Sequence, residues 1–329
     1  MAITISDIAR EAGVSTATVS RMMNQSGYVS DKAREKIETA IKKLNYMPNA
    51  AAISLSKRVS KVIGVMVPEI SNPFFGEVIE GISQIADSKG YAVMLFDTAE
   101  AQDREIKALT TLKQQNLCGL ILTPVFDDMN HNPDFYGALI QLKIPVVLVD
   151  REVEGLDVSG VFCDNVEGAF DLTASLISEG HTRIAVMAGD QNLRLGRDRL
   201  EGYMKAMRYF NQPLDPLLIY YGDFNRTNAR EKTIEMVKGD RLPTAILSCN
   251  NIMTEGIIHA LSERGMLEQV TIASYDKLPW TNYIGLRVKH LERSALDMGI
   301  KATQLILSQC SDSDRQCINK RLIVEQKVI

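Results

Sequence analysis

The chain has 329 residues and a formal net charge of −4 at pH 7, with 45% hydrophobic and 24% charged side chains, which is typical of a globular protein with two or three domains. No apolar run approaches the roughly eighteen residues of a membrane span, and the first residues lack the basic and apolar regions of a secretion signal. These features argue against an integral membrane protein and an exported protein, so we expect a cytoplasmic protein with no membrane partner.

The residues that carry most enzymatic and metal chemistry form no recognisable pattern. Of the five scattered cysteines, only Cys310 and Cys317 lie close together, and their spacing fits no common zinc site. The four histidines lie far apart, and the sequence has neither a glycine-rich phosphate loop nor a serine in a nucleophile elbow. We therefore expect reduced thiols, no metal, no cofactor and no catalytic residue, and a cytoplasmic enzyme is a disfavoured alternative.

The charge is distributed unevenly along the chain. Residues 1–61 contain ten basic and five acidic side chains, so this segment carries +5 and the remainder carries −9. A small basic region on a large acidic body indicates that only the N-terminal region contacts a polyanion.

The basic region begins with a predicted helix-turn-helix. Ile5–Asn24 has the apolar spacing of two short helices, with a turn at Gly13 and Val14. Ser15 is predicted to cap the second helix, and Val19 is predicted to pack against the first. The outward-facing residues of the second helix are then Thr16, Ala17, Ser20 and Arg21. An ordinary helical hairpin is the alternative interpretation of these residues taken alone.

A third helix and a linker are predicted to follow. Ser30 and Asp31 offer a cap, and Ala33, Ile37, Ile41 and Leu44 recur at helical spacing, which predicts a small three-helix bundle packed on Ile8, Val19, Ile37 and Ile41. The segment Asn49–Lys57 is short and alanine-rich, so we interpret it as a linker that becomes helical only when something holds it.

From Lys61 onward the pattern changes to alternating strands and helices. Buried strands are predicted at Val62–Val67, Ala92–Phe96, Leu120–Leu122, Val146–Val149, Ile184–Ala188, Leu217–Tyr221, Ala245–Leu247 and Val270–Ala273. Helices are predicted at Pro73–Lys89, Asp103–Gln115, Asp134–Leu142, Val166–Glu179, Arg199–Phe210, Ala229–Val237 and Thr254–Arg264. This order predicts two doubly wound α/β subdomains, with a ligand site in the cleft at the carboxyl ends of their strands.

Together these segments resemble the lactose/purine-repressor family of bacterial transcription regulators along essentially the whole chain. The matching pieces are DIAREAGVSTATVSR at Asp7–Arg21, YVSDKAREKI at Tyr28–Ile37, NYMPNAAAISL at Asn45–Leu55, IGVMVPEISNPFF at Ile63–Phe75, EGHTRIA at Glu179–Ala185 and RLEGYMKAM at Arg199–Met207. The resemblance implies a periplasmic-binding-protein-like core behind the helix-turn-helix domain and hinge helix. The implied domains are residues 1–47, 48–60 and 61–329, with an N-subdomain of about 61–160 and 289–318 and a C-subdomain of about 161–288 and 319–329.

The resemblance assigns DNA contacts to both parts of the N-terminal region. Thr16 and Ala17 match the variable base-reading positions, and Arg21 matches an arginine that contacts a base, for which a guanidinium fork suits guanine. Thr4, Ser15 and Ser20 are expected to contact phosphates, and Asn49 is also expected to contact DNA. Leu55 matches a hinge leucine that wedges between base pairs in the minor groove. Ile53 stands where many relatives carry arginine, which puts one polar hinge contact in doubt.

The family acts as a homodimer on pseudo-palindromic double-stranded DNA, and we expect the same here. Exposed apolar residues on the first core helix, such as Val78, Ile79 and Ile82, are candidates for the dimer surface or for ordinary intramolecular core. No additional heptad helix follows the core, which favours a dimer over a tetramer.

The resemblance also places effector-binding residues at the cleft. They are Asn72, Phe74, Phe75, Asp150, Arg199, Phe224, Asn250 and Asp276. Aromatic rings and polar groups in this mixture suit the apolar faces and polar rim of a sugar. Arg194 and Arg197 precede Arg199, and Asn250-Asn251 replaces the usual Asn-Asp pair, so several arginines facing fewer carboxylates favour a phosphorylated or acidic sugar. Alternatively, Arg194 and Arg197 are surface residues that pair with Asp190 and Asp198.

The sequence thus predicts a DNA-binding transcriptional regulator, expected to be a repressor, controlled by a sugar or sugar phosphate. Release of DNA by an inducer is the commoner arrangement among sugar-responsive relatives, and a corepressor-dependent regulator is the alternative. A sugar-binding protein without DNA function shares the predicted core fold, but the basic N-terminal region argues against it.

Overall fold

The computed structural model describes residues 3–24, 26–46, 60–128, 133–238, 242–311 and 319–329. The chain divides into two compact units, residues 1–59 and residues 60–329. The first unit is helical, and the second contains the alternating strands and helices that the sequence predicts.

The N-terminal unit is a small helical bundle. Its helices are α1 (Ile5–Ala12), α2 (Thr16–Asn24) and α3 (Asp31–Lys43). Gly13 ends α1 with a φ of 63°, in the left-handed region that a residue without a Cβ adopts at little cost. Ile8, Val19 and Ile37 are fully buried between the helices. The helix-turn-helix and the third helix predicted from the apolar spacing are therefore confirmed.

The second unit has two lobes, each built on a six-stranded sheet. Lobe 1 contains β1 (Val62–Val67), β2 (Ala92–Asp97), β3 (Gly119–Leu122), β4 (Val146–Val149), β5 (Ser159–Phe162) and β11 (Arg321–Ile323). Lobe 2 contains β6 (Ile184–Ala188), β7 (Ile219–Tyr221), β8 (Ala245–Ser248), β9 (Thr271–Ser274), β10 (Lys289–Arg293) and β12 (Gln326–Val328). The spatial orders are β11-β5-β4-β3-β1-β2 and β12-β10-β9-β8-β6-β7. Among these strands only the β10–β12 pair is antiparallel, so the predicted fold class is confirmed.

Helices cover the sheets of both lobes. In lobe 1 they are α4 (Pro73–Ser88), α5 (Gln102–Lys113), α6 (Pro133–Gln141) and α11 (Ala295–Ser311). In lobe 2 they are α7 (Asn165–Ser178), α8 (Arg194–Tyr209), α9 (Arg226–Met236) and α10 (Asn251–Glu263), with short 3-10 helices at Pro216–Leu218 and Pro279–Ile284. None of the helices in the described ranges has the length and apolarity of a membrane span.

Two glycines allow α4 and α11 to pack closely. A Cβ added to Gly81 of α4 would lie 2.1 Å from the carbonyl oxygen of Leu296, and one added to Gly299 of α11 would lie 2.0 Å from that of Val78. Such distances are far below van der Waals contact, so each helix places its backbone where the other lacks a side chain.

The chain crosses between the lobes three times: after β5, after β10, and between β11 and β12. The subdomain boundaries expected from the resemblance are therefore displaced. Residues 161–162 and 321–323 belong to the sheet of lobe 1, and residues 289–293 belong to the sheet of lobe 2. Apolar patterning does not reveal these assignments, because short buried strands of either sheet have the same composition.

Two local predictions need correction. Residues 217–218 lie in a 3-10 helix rather than in a strand, since Asp215 caps a turn that begins at Pro216. Helix α8 begins at Arg194, five residues earlier than expected. Of the apolar residues considered for a dimer surface, Val78 and Ile82 are at most 1% exposed and form intramolecular core of lobe 1, the alternative that the sequence left open. Ile79 is half-buried against the same core.

Candidate functional site

A cavity of about 680 Å³ lies between the two lobes. Loops that follow the carboxyl ends of strands in both sheets form its walls, which is the usual position for a ligand in an open α/β sheet. Eight of the ten side chains predicted to bind an effector line it, namely Asn72, Phe74, Phe75, Asp150, Arg199, Phe224, Asn250 and Asp276. The structure therefore brings together residues that lie as much as 204 positions apart in the chain.

The lobe 1 wall is organised by the first turn of α4. Asn72 caps this helix, and its Oδ1 accepts a hydrogen bond from the backbone N–H of Phe74 at 3.0 Å. The rings of Phe74 and Phe75 pack edge to face with their centroids 5.1 Å apart, and both are buried. Their positions at the cavity wall are fixed by packing, so they offer a rigid apolar surface.

The lobe 2 wall uses a second helix cap. Asn250 Oδ1 accepts the backbone N–H of Met253 at 2.8 Å at the start of α10. The next residue, Asn251, donates from Nδ2 to Asn72 Oδ1 at 2.8 Å. Both side-chain oxygens predicted to face a ligand, those of Asn72 and Asn250, therefore already accept hydrogen bonds from the protein, and Asn251 links the lobes beside the cavity.

Arg199 is buried in the cavity wall and is 1% exposed. Its Nη1 donates to the Cys249 carbonyl at 2.6 Å, and its Nε donates to Asn165 Oδ1 at 2.9 Å. The guanidinium carbon lies 3.6 Å from the ring centroid of Tyr275. Among the described residues, Nη2 has no hydrogen-bond partner. A buried donor of this kind is costly unless a ligand or water completes it.

Arg293, which sequence reasoning missed, joins two buried carboxylates of the cavity wall. Its Nη1 lies 2.7 Å from Asp150 Oδ1 in lobe 1, and its Nη2 lies 2.6 Å from Asp276 Oδ1 in lobe 2. The Phe74 ring centroid lies 4.0 Å from its guanidinium carbon. Burial alone would raise the pKa of the Asp150 carboxyl, but the charges of Arg293, Arg199 and Arg151 and the hydrogen bond from Arg293 together outweigh burial and lower it. Arg293 thus pairs directly with one carboxylate from each lobe.

A third buried arginine, Arg151 of lobe 1, also lines the cavity and was not predicted. Its two terminal nitrogens contact both carboxylate oxygens of Glu100, at 2.9 and 2.6 Å. This bidentate pair neutralises the charge of Arg151. The remaining ionic residues at the rim are the exposed or half-buried Glu69, Asp190, Asp223 and Arg226.

Arg194 and Arg197 do not line this cavity, which corrects the expectation that they converge on the ligand beside Arg199. Arg194 begins α8 and pairs with Glu152 at 3.2 Å and with Asp198 at 3.5 Å. Arg197 donates to the carbonyl oxygens of Gln191 and Asn192 at 3.0 and 2.8 Å. The helical phase explains the difference, because Arg199 lies five residues after Arg194 and two after Arg197, on another face of α8.

Arg151 and Arg293 give different sequence signals. Arg151 follows the predicted Asp150 directly, so a polar pair after a buried strand was a usable clue. Arg293 lies in KHLERS, which has the composition of an ordinary charged surface strand, and its burial depends on two carboxylates supplied from distant segments. Within the described ranges, no His, Cys, Asp and Glu side chains are grouped to hold a metal ion.

The N-terminal unit presents the predicted DNA-reading side chains on one surface. Thr16, Ala17 and Arg21 are exposed on α2, whereas Val19 of the same helix is buried. Ser15 caps α2 as predicted, since its Oγ accepts the backbone N–H of Thr18 at 3.1 Å. Ser20 is half-buried.

Thr4 is exposed, but its hydroxyl already donates to Asp7 Oδ2 at 2.7 Å. This hydrogen bond and a second one from the Thr4 backbone N–H lower the pKa of the Asp7 carboxyl. The predicted contact residues Asn49 and Leu55 lie outside the described residues.

Comparisons with known proteins agree with both parts of the chain. Residues 4–49 match the family described as "Bacterial regulatory proteins, lacI family", and residues 60–320 match "Periplasmic binding proteins and sugar binding domain of LacI family". The ribose operon repressor of Lactococcus lactis subsp. lactis is 33% identical, over 97% of this chain and 94% of the relative.

Solved structures resemble the chain over nearly its full length. The Lac repressor dimer bound to operator and the anti-inducer ONPF has a TM-score of 0.84 and 25% identity, covering 100% of this chain and 98% of that one. A complex of the transcriptional regulator CelR with cellobiose has a TM-score of 0.72 and 25% identity, covering 99% and 98%. With a helix-turn-helix unit and a two-lobed core both matched, the chain belongs to the lacI family of bacterial regulatory proteins.

Proposed function

We propose that this protein is a sequence-specific DNA-binding repressor whose affinity for its operator is controlled by a sugar or sugar phosphate bound between the lobes. One observation carries the effector part of this proposal: eight side chains chosen from the sequence for effector binding surround a single cavity. The names of the related ribose operon repressor and of the CelR–cellobiose complex support a carbohydrate ligand.

The DNA contact is proposed for the exposed surface of α2. Arg21 is suited to two parallel hydrogen bonds with guanine in the major groove, with Thr16 and Ala17 reading neighbouring base pairs. Thr4, Ser15 and Ser20 are proposed to contact phosphates, and Asn49 and Leu55 to act in the hinge and the minor groove. A homodimer would place one such unit on each half of a pseudo-palindromic site.

Control by the effector is proposed to act through the angle between the lobes. A ligand that contacts both walls favours one lobe arrangement, and a preference of about 1–3 kcal/mol is enough for a useful switch. Residues 48–60 are proposed as the hinge between a DNA-binding domain at 1–47 and the core at 61–329. We propose that effector binding releases DNA. In the opposite case the effector is a corepressor that DNA binding requires, and the same DNA-binding measurement would show it.

The protein is further proposed to act in the cytoplasm and to have no enzymatic activity. The buried polar groups at the cavity include two arginine–carboxylate clusters, two helix caps and Arg199. The arrangement suits recognition, because the described groups hold one another rather than leaving an activated nucleophile or base.

The test begins with selection of preferred sites from random double-stranded DNA by the full-length protein. Binding to the selected site is then measured by fluorescence anisotropy at several salt concentrations, with and without D-ribose, D-fructose and their phosphates. We expect nanomolar binding that weakens steeply with salt, and release by at least one of these probes. A full-length protein that selects no sequence, or a fragment 60–329 that still binds the selected site, would contradict the proposal.

A further inference from the structure

We propose that Arg293 is a specificity-determining residue that withdraws Asp150 and Asp276 from ligand recognition, so that the cavity takes a sugar ligand with an anionic oxygen group paired to Arg199. This inference rests on the proposed function and narrows its ligand class. Its basis is a difference among the buried charged groups of the cavity: Arg293, Asp150 and Asp276 contact one another, whereas Arg199 has an open donor.

The first step is the position of Arg293 relative to the two carboxylates. The side chains of Arg293, Asp150 and Asp276 are 3%, 7% and 8% exposed, so water competes little for them. Oδ1 of each carboxylate contacts the guanidinium, and Asp276 Oδ2 accepts the backbone N–H of Asn251 at 3.3 Å. A neutral sugar that offered hydroxyl donors to these carboxylates would have to compete with a charged fork held in place by the Phe74 ring.

The second step concerns the cation opposite this cluster. Among the described residues no carboxylate oxygen lies within 4.0 Å of an Arg199 nitrogen; its partners are a carbonyl, an amide oxygen and the Tyr275 ring. One of its terminal nitrogens has no partner at all among these residues. Asp150 feels the charge of Arg199 but is held by Arg293. A ligand carboxylate or phosphate oxygen would therefore supply both the missing acceptor and a negative charge in direct contact with Arg199.

The third step is the effect of the other charges around the cavity. Glu100 neutralises Arg151 through a bidentate pair, so Arg151 is not available as an anion-binding group. Glu69, Asp190 and Asp223 are exposed or half-buried, and solvent and salt screen charges in such positions. The direct contact to the open donor of Arg199, rather than the screened rim, is then the contact that distinguishes an acidic ligand from a neutral one.

The proposal is tested by titration calorimetry on the full-length protein with matched pairs of probes. The pairs are D-gluconate with D-glucose, D-ribose 5-phosphate with D-ribose, and D-fructose 1-phosphate with D-fructose. We expect at least one acidic probe to bind tenfold or more tightly than its neutral parent. Binding of gluconate alone would identify a carboxylate ligand, and binding of a sugar phosphate alone would identify a phosphate ligand.

Variants then test the role of Arg293 itself. Arg293→Gln should free the carboxylates and shift the acid-to-neutral ratio at least tenfold toward the neutral sugar, whereas Arg293→Lys, which keeps the charge, should retain part of the preference. Arg230→Gln removes an arginine paired with Glu263 away from the cavity and should leave the ratio unchanged. The wild-type ratio requires no variant, so it tests the ligand class even if Arg293→Gln fails to fold.

Several results would overturn the inference. Equal or tighter binding of the neutral parents by the wild type, no binding of any probe, or an unchanged ratio in a folded Arg293→Gln variant each contradicts it. Release of operator DNA by a neutral sugar would support the proposed function while refuting this inference. Failure to bind any DNA would refute the proposed function, and calorimetry would still report on the cavity.

Discussion

Asn251 Nδ2 donates to Asn72 Oδ1 at 2.8 Å, which joins residues 179 positions apart and connects the two lobes beside the cavity. Asn72 Oδ1 also accepts the backbone N–H of Phe74, so this oxygen caps α4 and receives the contact from lobe 2. The amide at position 251 matters because its Nδ2 supplies the donor of this contact. An aspartate would turn an oxygen toward Asn72 in place of the donor.

Asn251→Asp should therefore weaken the contact between the lobes. Two acceptors would face each other in a buried position, and we expect a loss of about 1–3 kcal/mol in the free energy of unfolding, measured by chemical denaturation of the full chain. Asn228→Asp makes the same chemical change at an exposed position of α9 and serves as the control. Equal effects of the two substitutions would show that the contact contributes nothing to stability.

Glu105 gives a prediction about pH. This side chain of α5 is 1% exposed, and its burial raises the pKa from an ordinary value of 4.5 to about 7, although its Oε1 accepts the Val125 N–H at 2.8 Å. The folded protein thus binds this proton more tightly than the unfolded chain does. The contribution of Glu105 to stability is full below pH 4.5 and is lost as the pH rises through about 7.

Glu105→Gln should remove that dependence, because a neutral amide keeps the acceptor oxygen without the buried charge. At pH 8 the variant should be more stable than the wild type by up to about 3 kcal/mol, and near pH 4.5 the difference should nearly vanish. Denaturation curves of both proteins between pH 4.5 and 8 provide the measurement. A stability difference that does not change over this range would show that Glu105 titrates normally.

Arg21→Ala tests base reading by α2. The side chain is exposed, so its removal should leave the bundle folded while operator affinity falls by about 1–3 kcal/mol and selectivity relaxes at one base pair. Arg34→Ala removes the same charge from an exposed site on α3 and should cost less without changing the preferred sequence. A uniform loss on every DNA sequence would instead make Arg21 a phosphate contact.

Alanine substitutions at two helical glycines should have opposite effects on stability. Gly299→Ala would place a Cβ 2.0 Å from the Val78 carbonyl oxygen, so α4 and α11 would have to move apart. We expect the free energy of unfolding to fall by about 1–3 kcal/mol. Gly137→Ala, in α6, has nothing within 4 Å of the new Cβ and should gain about 0.5–1 kcal/mol from the lower entropy of the unfolded chain. Thermal unfolding distinguishes the two. Stabilisation by both substitutions would refute the close packing of α4 and α11.

The elements that could be predicted from sequence are those whose signal is local. Val62–Val67, Val146–Val149 and Ile184–Ala188 are strands at the predicted bounds, since continuous apolar runs between turn residues have few other solutions. The bundle core at Ile8, Val19 and Ile37 likewise follows from helical spacing. The short strands Ser159–Phe162 and Arg321–Ile323 carry no such signal, and they pair with each other across 161 positions of the chain.

The cavity residues also divide into those with a local sequence signal and those whose role depends on distant segments. Eight of its residues follow strand ends or match family motifs, so their positions could be stated in advance. Arg293 could not be found in this way, because its role depends on Asp150 and Asp276, which only the folded chain brings within 3 Å of it. Arg194 was misassigned for a related reason: whether a residue faces the cavity depends on where α8 begins, and helix boundaries are the least certain feature of a sequence pattern.

The three crossings between the lobes have a consequence for how such proteins can be recombined. Each lobe is assembled from separate stretches of chain, since strands β5, β10 and β11 precede successive passages from one sheet to the other. The helical unit before residue 60, by contrast, is one continuous segment. A single genetic junction can therefore transplant a DNA preference onto an existing core, whereas exchanging one lobe requires several junctions at once, so DNA targets are easier to reassign between relatives than half of a ligand site.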